Sequence, residues 1–189
     1  MSTLKVDNIL PNNNAAGSGR ILEMFGGICA GQTFEVSSGS YTLGNVTGVQ
    51  NLTSAYAQAT GSGIRYTPPA GTKNVIYKYN FLLHRTDANS MIHGRVYLDS
   101  NEIIHRRFTI GSVSIYGQLA TVTASFQCSA TSQDYNTGAL TSWTNPQTMK
   151  VQIREYGANN EGKLHQTAWW DGANGTQLHK PSIEIIAIG

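Results

Sequence analysis

The sequence predicts an all-β sandwich or barrel, and three observations carry that prediction. Charged residues make up only 13% of the 189-residue chain, about half the usual share of roughly 25%. Its polar character comes instead from serine, threonine, asparagine, glutamine and glycine, which suit strands and tight turns better than long surface helices. Apolar residues do not recur at the helical period of about 3.6. Instead, apolar and polar residues alternate within several short segments, and turn-rich stretches separate these segments.

The first half of the chain contains one candidate strand and one clear strand. We predict the first strand around Gly27–Val36, followed by turn-rich sequence. The turn signal Pro68-Pro69-Ala70-Gly71 then precedes a strict alternation of apolar and polar residues. One face of this segment carries Val75, Tyr77, Tyr79, Phe81 and Leu83. The alternation and the aromatic, β-branched content predict a half-buried strand.

The second half continues with strands and loops. Two strands flanking Asp99-Ser100-Asn101 are expected to form a hairpin, because these residue types favour turns. A long strand follows whose apolar phase shifts near Gly117, which indicates a bulge or bend. Thr148–Gly157 alternates again, and Asn159–Pro181 is predicted to be mostly loop with one short strand.

The final strand, Ser182–Ile188, is apolar on both faces except at Glu184. Its two faces carry Ile183, Ile185 and Ala187, and Ile186 and Ile188, respectively. An antiparallel strand with one solvated face is normally polar on that face. Two explanations stay open: the strand is central in the fold, or another subunit covers its second face.

The residues that could carry chemistry do not form a recognisable motif. His84, His93 and His105 lack the spacing of a metal site, and the chain has no nucleophile-elbow or phosphate-loop pattern. Cys29 and Cys128 are expected to be small buried residues. We therefore predict no enzymatic activity, no cofactor and no metal. The net charge of +2 is scattered, which speaks against nucleic-acid binding, and neither a signal peptide nor a membrane span is expected.

Adjacent tryptophans mark a candidate ligand or partner loop at Trp169, Trp170 and Asp171. An exposed indole ring offers a flat apolar face for a sugar ring or a partner protein. The alternative is structural, with one tryptophan covering the end of the sandwich and the other padding a subunit contact.

The opening “MSTLKVDNI” resembles that of virion structural proteins of marine and cyanobacterial tailed phages. “YTPPAGTKNVIYKYNF” and “KPSIEIIAIG” resemble the first core strand and the last strand of their C-terminal domain, which is similar to the trimeric jelly roll of tumour-necrosis-factor and complement-globular-head proteins. The resemblance covers essentially the whole chain. It implies a jelly-roll β-sandwich of about 8–10 antiparallel strands over residues 21–189, preceded by a short extended arm and linker at residues 1–20.

The same resemblance implies a homotrimer on a phage particle, made in the host cytoplasm, with other capsid or tail proteins as partners. The short linker favours a stubby knob over a long fibre. Ile186 and Ile188 are then expected at the trimer interface. Leu4, Val6 and Ile9 are expected to be the apolar contacts of an arm that attaches the knob to the virion. The alternative function is a receptor-binding tail-fibre tip that recognises a host surface glycan or protein.

Overall fold

A computed structural model describes residues 19–85, 91–111, 117–157, 162–170 and 175–189, which contain strands and turns and no helix. The strands are β1 (Ile21–Ile28), β2 (Thr33–Val36), β3 (Gly39–Thr42), β4 (Gln50–Asn51), β5 (Ala57–Gln58), β6 (Ile64–Tyr66), β7 (Asn74–Arg85), β8 (Ile92–Leu98), β9 (Asn101–Ile110), β10 (Gln118–Gln127), β11 (Gln147–Glu155), β12 (Gly162–Leu164), β13 (Gln166–Trp170), β14 (Gly175–Leu178) and β15 (Ser182–Ile188).

Two antiparallel sheets form the sandwich. In the six-stranded sheet, β15 lies between β1 and β7, and β10 pairs with the other edge of β7. β12 and β4 extend this sheet beside the end of β7. In the five-stranded sheet, β11 lies between β8 and the short strands β5 and β6, and β9 forms the far edge. Because the chain crosses from one sheet to the other after β7, β9, β10 and β11, the two packed antiparallel sheets form a jelly-roll sandwich, as predicted.

The alternation read from the sequence sets which side chains enter the core. On β7, all the residues of the predicted apolar face are fully buried. On β11, Met149, Val151 and Ile153 are buried, while their neighbours are partly exposed. The inward face of β15, with Ile183 and Ile185, packs into the same core. Each fully buried side chain of this size contributes about 1.5–3 kcal/mol relative to exposure.

Tyrosines supply much of the core volume, and their hydroxyl groups are hydrogen bonded. Tyr77 donates to the carbonyl of Ser62, and Tyr79 donates to the carbonyl of Thr60, each at 2.7 Å. A buried hydroxyl without a partner is costly, so these bonds let bulky rings fill the space between the sheets. They also fix the segment before β6 against β7.

Three sequence expectations differ from the structure. Gly27–Val36 is not one strand: β1 ends at Ile28, the chain turns at Gly31 with a φ of +80°, and β2 begins at Thr33. The described part of Asn159–Pro181 contains three strands rather than one. The described strands outnumber the expected eight to ten because segments of two to four residues pair within the connections.

The expected hairpin and bend lie where the sequence placed them. Asp99, with a φ of +53°, turns the chain from β8 into β9, and its carboxylate accepts a hydrogen bond from the Thr148 backbone at 2.8 Å. Gly117 has a φ of +97° and immediately precedes β10. Such positive φ values suit glycine and, at turns, aspartate.

Both cysteines are buried and free. Burial raises the pKa of Cys29 to about 11 and that of Cys128 to about 12, so both thiols stay protonated near neutral pH. Within the described ranges, no helix is long and apolar enough to cross a membrane.

Candidate functional site

The candidate site is the outer face of the six-stranded sheet, the side turned away from the core. Directly paired residues of antiparallel strands point to the same face. Met24 on β1 pairs with Ile186 on β15, and Ile186 pairs with Ile76 on β7. These three side chains therefore form an apolar row across three neighbouring strands. Met24 is 58% exposed, and the two isoleucines are half-buried.

A second apolar pair lies beside this row. Ile21 pairs with Ile188 near one end of the sheet, and Ile21 is 55% exposed. We call the surface formed by Ile21, Met24, Ile76, Ile186 and Ile188 the apolar face. Contiguous apolar surface of this kind is uncommon on a monomer and typically marks an interaction site.

Polar pairs occupy the other half of the same outer surface. Lys78 and Glu184 form an ion pair at 3.0 Å, and Asn80 donates to Ser182 at 3.1 Å. Thr121 on β10 donates to Asn80 at 2.7 Å. The two charges cancel, so this part of the outer surface is locally neutral. It also carries two exposed apolar side chains, Ile28, which pairs with Ser182, and Leu119, which pairs with Leu82.

A groove of about 500 Å³ runs between this surface and the β2–β3 hairpin. Gly26 and Gly27 line it together with Phe34 and Val36 of the hairpin. A Cβ atom at Gly26 would lie 2.4 Å from the Ile183 carbonyl oxygen, which no ordinary contact permits. Glycine is required there because β1 and β15 approach so closely.

A buried carboxylate fixes the hairpin that borders the groove. Glu23 on β1 accepts hydrogen bonds from the hydroxyls of Ser37, Ser38 and Tyr66 at 2.6–2.9 Å, and from the Ser38 amide at 2.9 Å. Burial alone would raise the pKa of Glu23, but these donors outweigh it and lower that pKa below its usual value. The ionised form therefore stabilises the fold above the ordinary glutamate pKa, and this contribution is lost as pH falls through the lowered one.

The residues predicted from the sequence fall in different places. Ile186 and Ile188 both lie on the apolar face; their role in a trimer interface stays a prediction. Trp169 and Trp170 end β13, which pairs with β14 in a separate hairpin. Asp171 and the arm residues Leu4, Val6 and Ile9 lie outside the described residues.

Met24, Ile21 and Ile76 were missed as partners of Ile186 and Ile188. The misplacement of the first strand at Gly27–Val36 hid Met24 and Ile21, since neither was assigned to a strand face. The sequence does contain a pattern that could have placed Ile21 and Met24 on a strand: “ILEMFGGI” is a segment of strand length with apolar residues at both ends. Among the histidines, cysteines and acidic residues of the described ranges, no group of three is placed to hold a metal ion.

No protein-family model and no curated protein matches this chain. Three solved structures are similar over most of the chain at low identity. A xylan-binding module (CBM15) is 11% identical with a TM-score of 0.30, covering 93% of this chain and 94% of its own. The vertex protein P5 of PRD1 is 15% identical with a TM-score of 0.34, covering 90% and 100%. The VP2 subviral particle of infectious bursal disease virus is 10% identical with a TM-score of 0.36, covering 96% and 42%. Structural similarity at these TM-scores does not indicate what this chain does.

Proposed function

We propose that the chain is a bacteriophage virion structural protein, a homotrimeric knob that an N-terminal arm attaches to the particle. The main observation in favour of a trimer is the apolar row formed by Met24, Ile186 and Ile76. Two observations support a location on the virion. The fold is a jelly roll, and the opening segment and two core strands resemble those of phage virion proteins. The attachment point is a capsid protein, as in a head decoration or head fibre, or a tail protein.

A second and third copy of this chain are the proposed occupants of the apolar face. Full burial of a half-buried isoleucine contributes part of the roughly 1.5–3 kcal/mol that complete burial gives. The Lys78–Glu184 pair leaves the surrounding surface locally neutral, so identical copies do not repel one another. Closed rotational symmetry is the usual arrangement of homo-oligomers, and a three-fold axis near β15 brings Ile186 and Ile188 of each copy together.

Residues 1–20 are proposed to be the attachment arm and linker, and residues 21–189 the knob. Leu4 and Val6 are two residues apart, as on one face of a strand, and Ile9 is the third apolar contact. An extended arm of this kind can add a strand to the edge of a sheet in another virion protein. Pro11 would end the pairing, because it has no N–H group to donate.

The proposed role is structural, without catalysis, cofactor or metal. Three arms on one trimer would raise the avidity well above that of a single weak contact, provided that the sites on the particle match the trimer's geometry.

The second candidate function is a receptor-binding tip of a tail fibre. The β13–β14 hairpin favours it, because β13 ends with Trp169 and Trp170 next to Asp171. In that case the aromatic residues would contact a glycan or protein of the host surface.

Deletion of residues 2–16 tests the attachment arm. We expect the truncated protein to fold and to keep the oligomeric state of the full chain, because the proposed interface lies within residues 21–189. It should no longer incorporate into particles in a phage complementation assay that quantifies the protein in purified virions. Normal incorporation would contradict the proposal, and loss of the trimer would mean that the arm instead ties the three chains together.

A further inference from the structure

Arginines and tyrosines are concentrated on the outer face of the other, five-stranded sheet. Gln152 on β11 pairs with Arg95 on β8, and Arg154 pairs with His93. Tyr56 lies just before β5, on the far side of β11. Three separate elements thus bring Arg95, Arg154 and Tyr56 together on one surface.

Two guanidinium groups lie over the same tyrosine ring. The Cζ atom of Arg95 is 3.9 Å from the ring centroid of Tyr56, and that of Arg154 is 5.1 Å from it. Both distances are within the range of cation–π attraction, about 6 Å. The ring therefore attracts two like charges, which offsets part of their mutual repulsion.

The positive charge of this cluster is only partly balanced. Glu102 forms ion pairs with Arg95 and with Arg107. Arg154 has no carboxylate at ion-pair distance in the described part of the chain, and its guanidinium donates only a long bond, 3.4 Å, to the Ser54 carbonyl. The Nε atoms of Arg95 and Arg154 are buried there without an acceptor. An external anion would supply the charged partner that the Arg154 guanidinium group lacks.

An aromatic surface borders the cluster. The rings of His93 and Tyr156 lie 5.7 Å apart, and Tyr156 is 60% exposed. His93, Arg95 and Arg107 line a depression of about 270 Å³ with Tyr56. This volume is slightly below the roughly 300–1,000 Å³ of pockets for drug-sized ligands, so it suits a single sugar residue of a longer chain.

We propose that this surface binds an anionic polysaccharide through one carboxylated or sulfated sugar residue. The acidic group would lie in the depression beside the guanidinium groups of Arg95 and Arg107, with Arg154 next to them over the Tyr56 ring. The sugar ring would extend past His93 onto Tyr156. Planar guanidinium groups bind carboxylates and sulfate-like oxyanions with two parallel hydrogen bonds. Tyrosine offers the flat apolar face that the C–H side of a sugar ring requires.

Nucleic acid fits this surface less well. Single-stranded nucleic acid is bound by a series of free aromatic rings on which successive bases stack. Here the Tyr56 ring is covered by Arg95, and the Tyr97 ring has Lys150 5.8 Å from its centroid. Of the three tyrosines on this face, Tyr156 is the most exposed. One free ring next to clustered arginines matches one acidic sugar better than a run of bases.

The proposed binding surface and the apolar face belong to different sheets, whose outer sides point away from each other. Trimer formation through the apolar face would therefore leave the arginine cluster accessible. The binding test below needs neither the trimer nor the particle, so its failure would leave the proposed structural role untouched.

A binding titration of the full chain tests the proposal. The probes are a galacturonate oligosaccharide, its methyl ester as the neutral match, a sulfated oligosaccharide, and a single-stranded oligothymidylate of equal charge. We expect the carboxylated or the sulfated oligosaccharide to bind, the ester not to bind, and affinity to fall as salt is raised. Arg154→Gln and Tyr156→Ala should each weaken binding, by about tenfold or more for the arginine.

Arg65→Gln is the matched control. Arg65 is exposed on the same sheet and pairs with Thr148, which lies six residues, or about 20 Å, along β11 from Arg154. This variant should bind like the parent chain, and thermal melting should show that all variants are folded. The proposal is overturned if neither acidic oligosaccharide binds, if the ester binds equally well, if Arg65→Gln weakens binding as much as Arg154→Gln, or if the oligothymidylate binds more tightly.

Discussion

At the scale of single residues, His165 is a buried histidine whose pKa the fold lowers well below its ordinary value. It lies between β12 and β13, is fully buried, and has a φ of +68°. Neither ring nitrogen forms a hydrogen bond of regular geometry among the described residues. Burial lowers the pKa of His165 to about 4; a weaker interaction with the Thr60 backbone opposes this lowering, and the nearby His179 adds to it. The folded protein therefore holds this imidazole neutral at pH values where an unfolded chain would bind a proton.

We predict that His165 makes the protein acid-sensitive below about pH 6.5. Because its pKa is lowered on folding, its stabilising contribution is complete above the unfolded pKa near 6.5 and decreases as pH falls toward the folded value. With the pKa values above, the free energy of unfolding drops by about 2 kcal/mol between pH 7.5 and pH 5. Urea unfolding at the two pH values measures the drop.

His165→Asn provides the comparison, because asparagine tolerates a positive φ and does not titrate. The variant should lose much less stability over the same pH range, whatever its absolute stability. His105→Asn, at an exposed position on β9, should keep the parent's pH dependence. Equal pH dependence in the parent and His165→Asn would show that this account of His165 is wrong.

At the scale of strands, the sequence predicted those elements whose burial follows a period of two. β7, β11 and β15 have one face in the core, so their alternation could be read directly. β1 could not be read in this way, because the bulge between Ile21 and Glu23 shifts its phase and two glycines replace side chains at its end. The two-residue strands β4 and β5 exist only through pairing with distant partners, which local pattern cannot reveal.

The β8–β9 hairpin shows a second feature that only the structure reveals. Between the pairs Val96–Ile103 and Gly94–Phe108, four residues of β9 lie opposite one residue of β8, so β9 bulges out of the regular ladder. The Phe108 ring packs directly onto Gly94, so that a Cβ at position 94 would lie within 2 Å of it. The backbone conformation at Gly94 is ordinary for a strand, so conformation does not require glycine. Glycine is required because any larger residue would clash with Phe108.

We predict that Gly94→Ala destabilises the protein by about 1–3 kcal/mol, the usual cost of overpacking. The damage should be smaller when Phe108 is also shortened to leucine, because the clashing atoms are then gone. A double-mutant cycle in chemical denaturation measures this coupling. Additive effects of the two substitutions would contradict the packing seen at Gly94.

At the scale of the whole molecule, the fold class followed from the sequence more fully than the candidate sites did. Ile186 and Ile188 could be placed on the outer face of β15 because the strand alternates; their role in a trimer interface stays a prediction. The arginine cluster was not found, because Tyr56, Arg95 and Arg154 come from three elements whose adjacency depends on sheet order. The alternation of β11 did place Arg154 and Tyr156 on its polar face, but gave no reason to join them to Tyr56.

The two sheets divide the proposed roles between them. One outer surface is apolar and locally neutral, and we propose that it associates with copies of itself. The other is basic and aromatic, and we propose that it binds an anionic sugar. On this proposal, β15 is apolar on both faces because the subunit buries one face internally and the trimer would bury the other.

The molar mass in solution tests the central claim most directly. Light scattering during size-exclusion chromatography at micromolar concentration should give three times the chain mass of 20.4 kDa. Ile186→Asp should give a folded monomer, because burying an unpaired carboxylate in the apolar face is costly. Ile104→Asp, at another exposed isoleucine on the other sheet, should remain trimeric. A monomer mass for the parent chain, or an unchanged trimer for Ile186→Asp, would contradict the account.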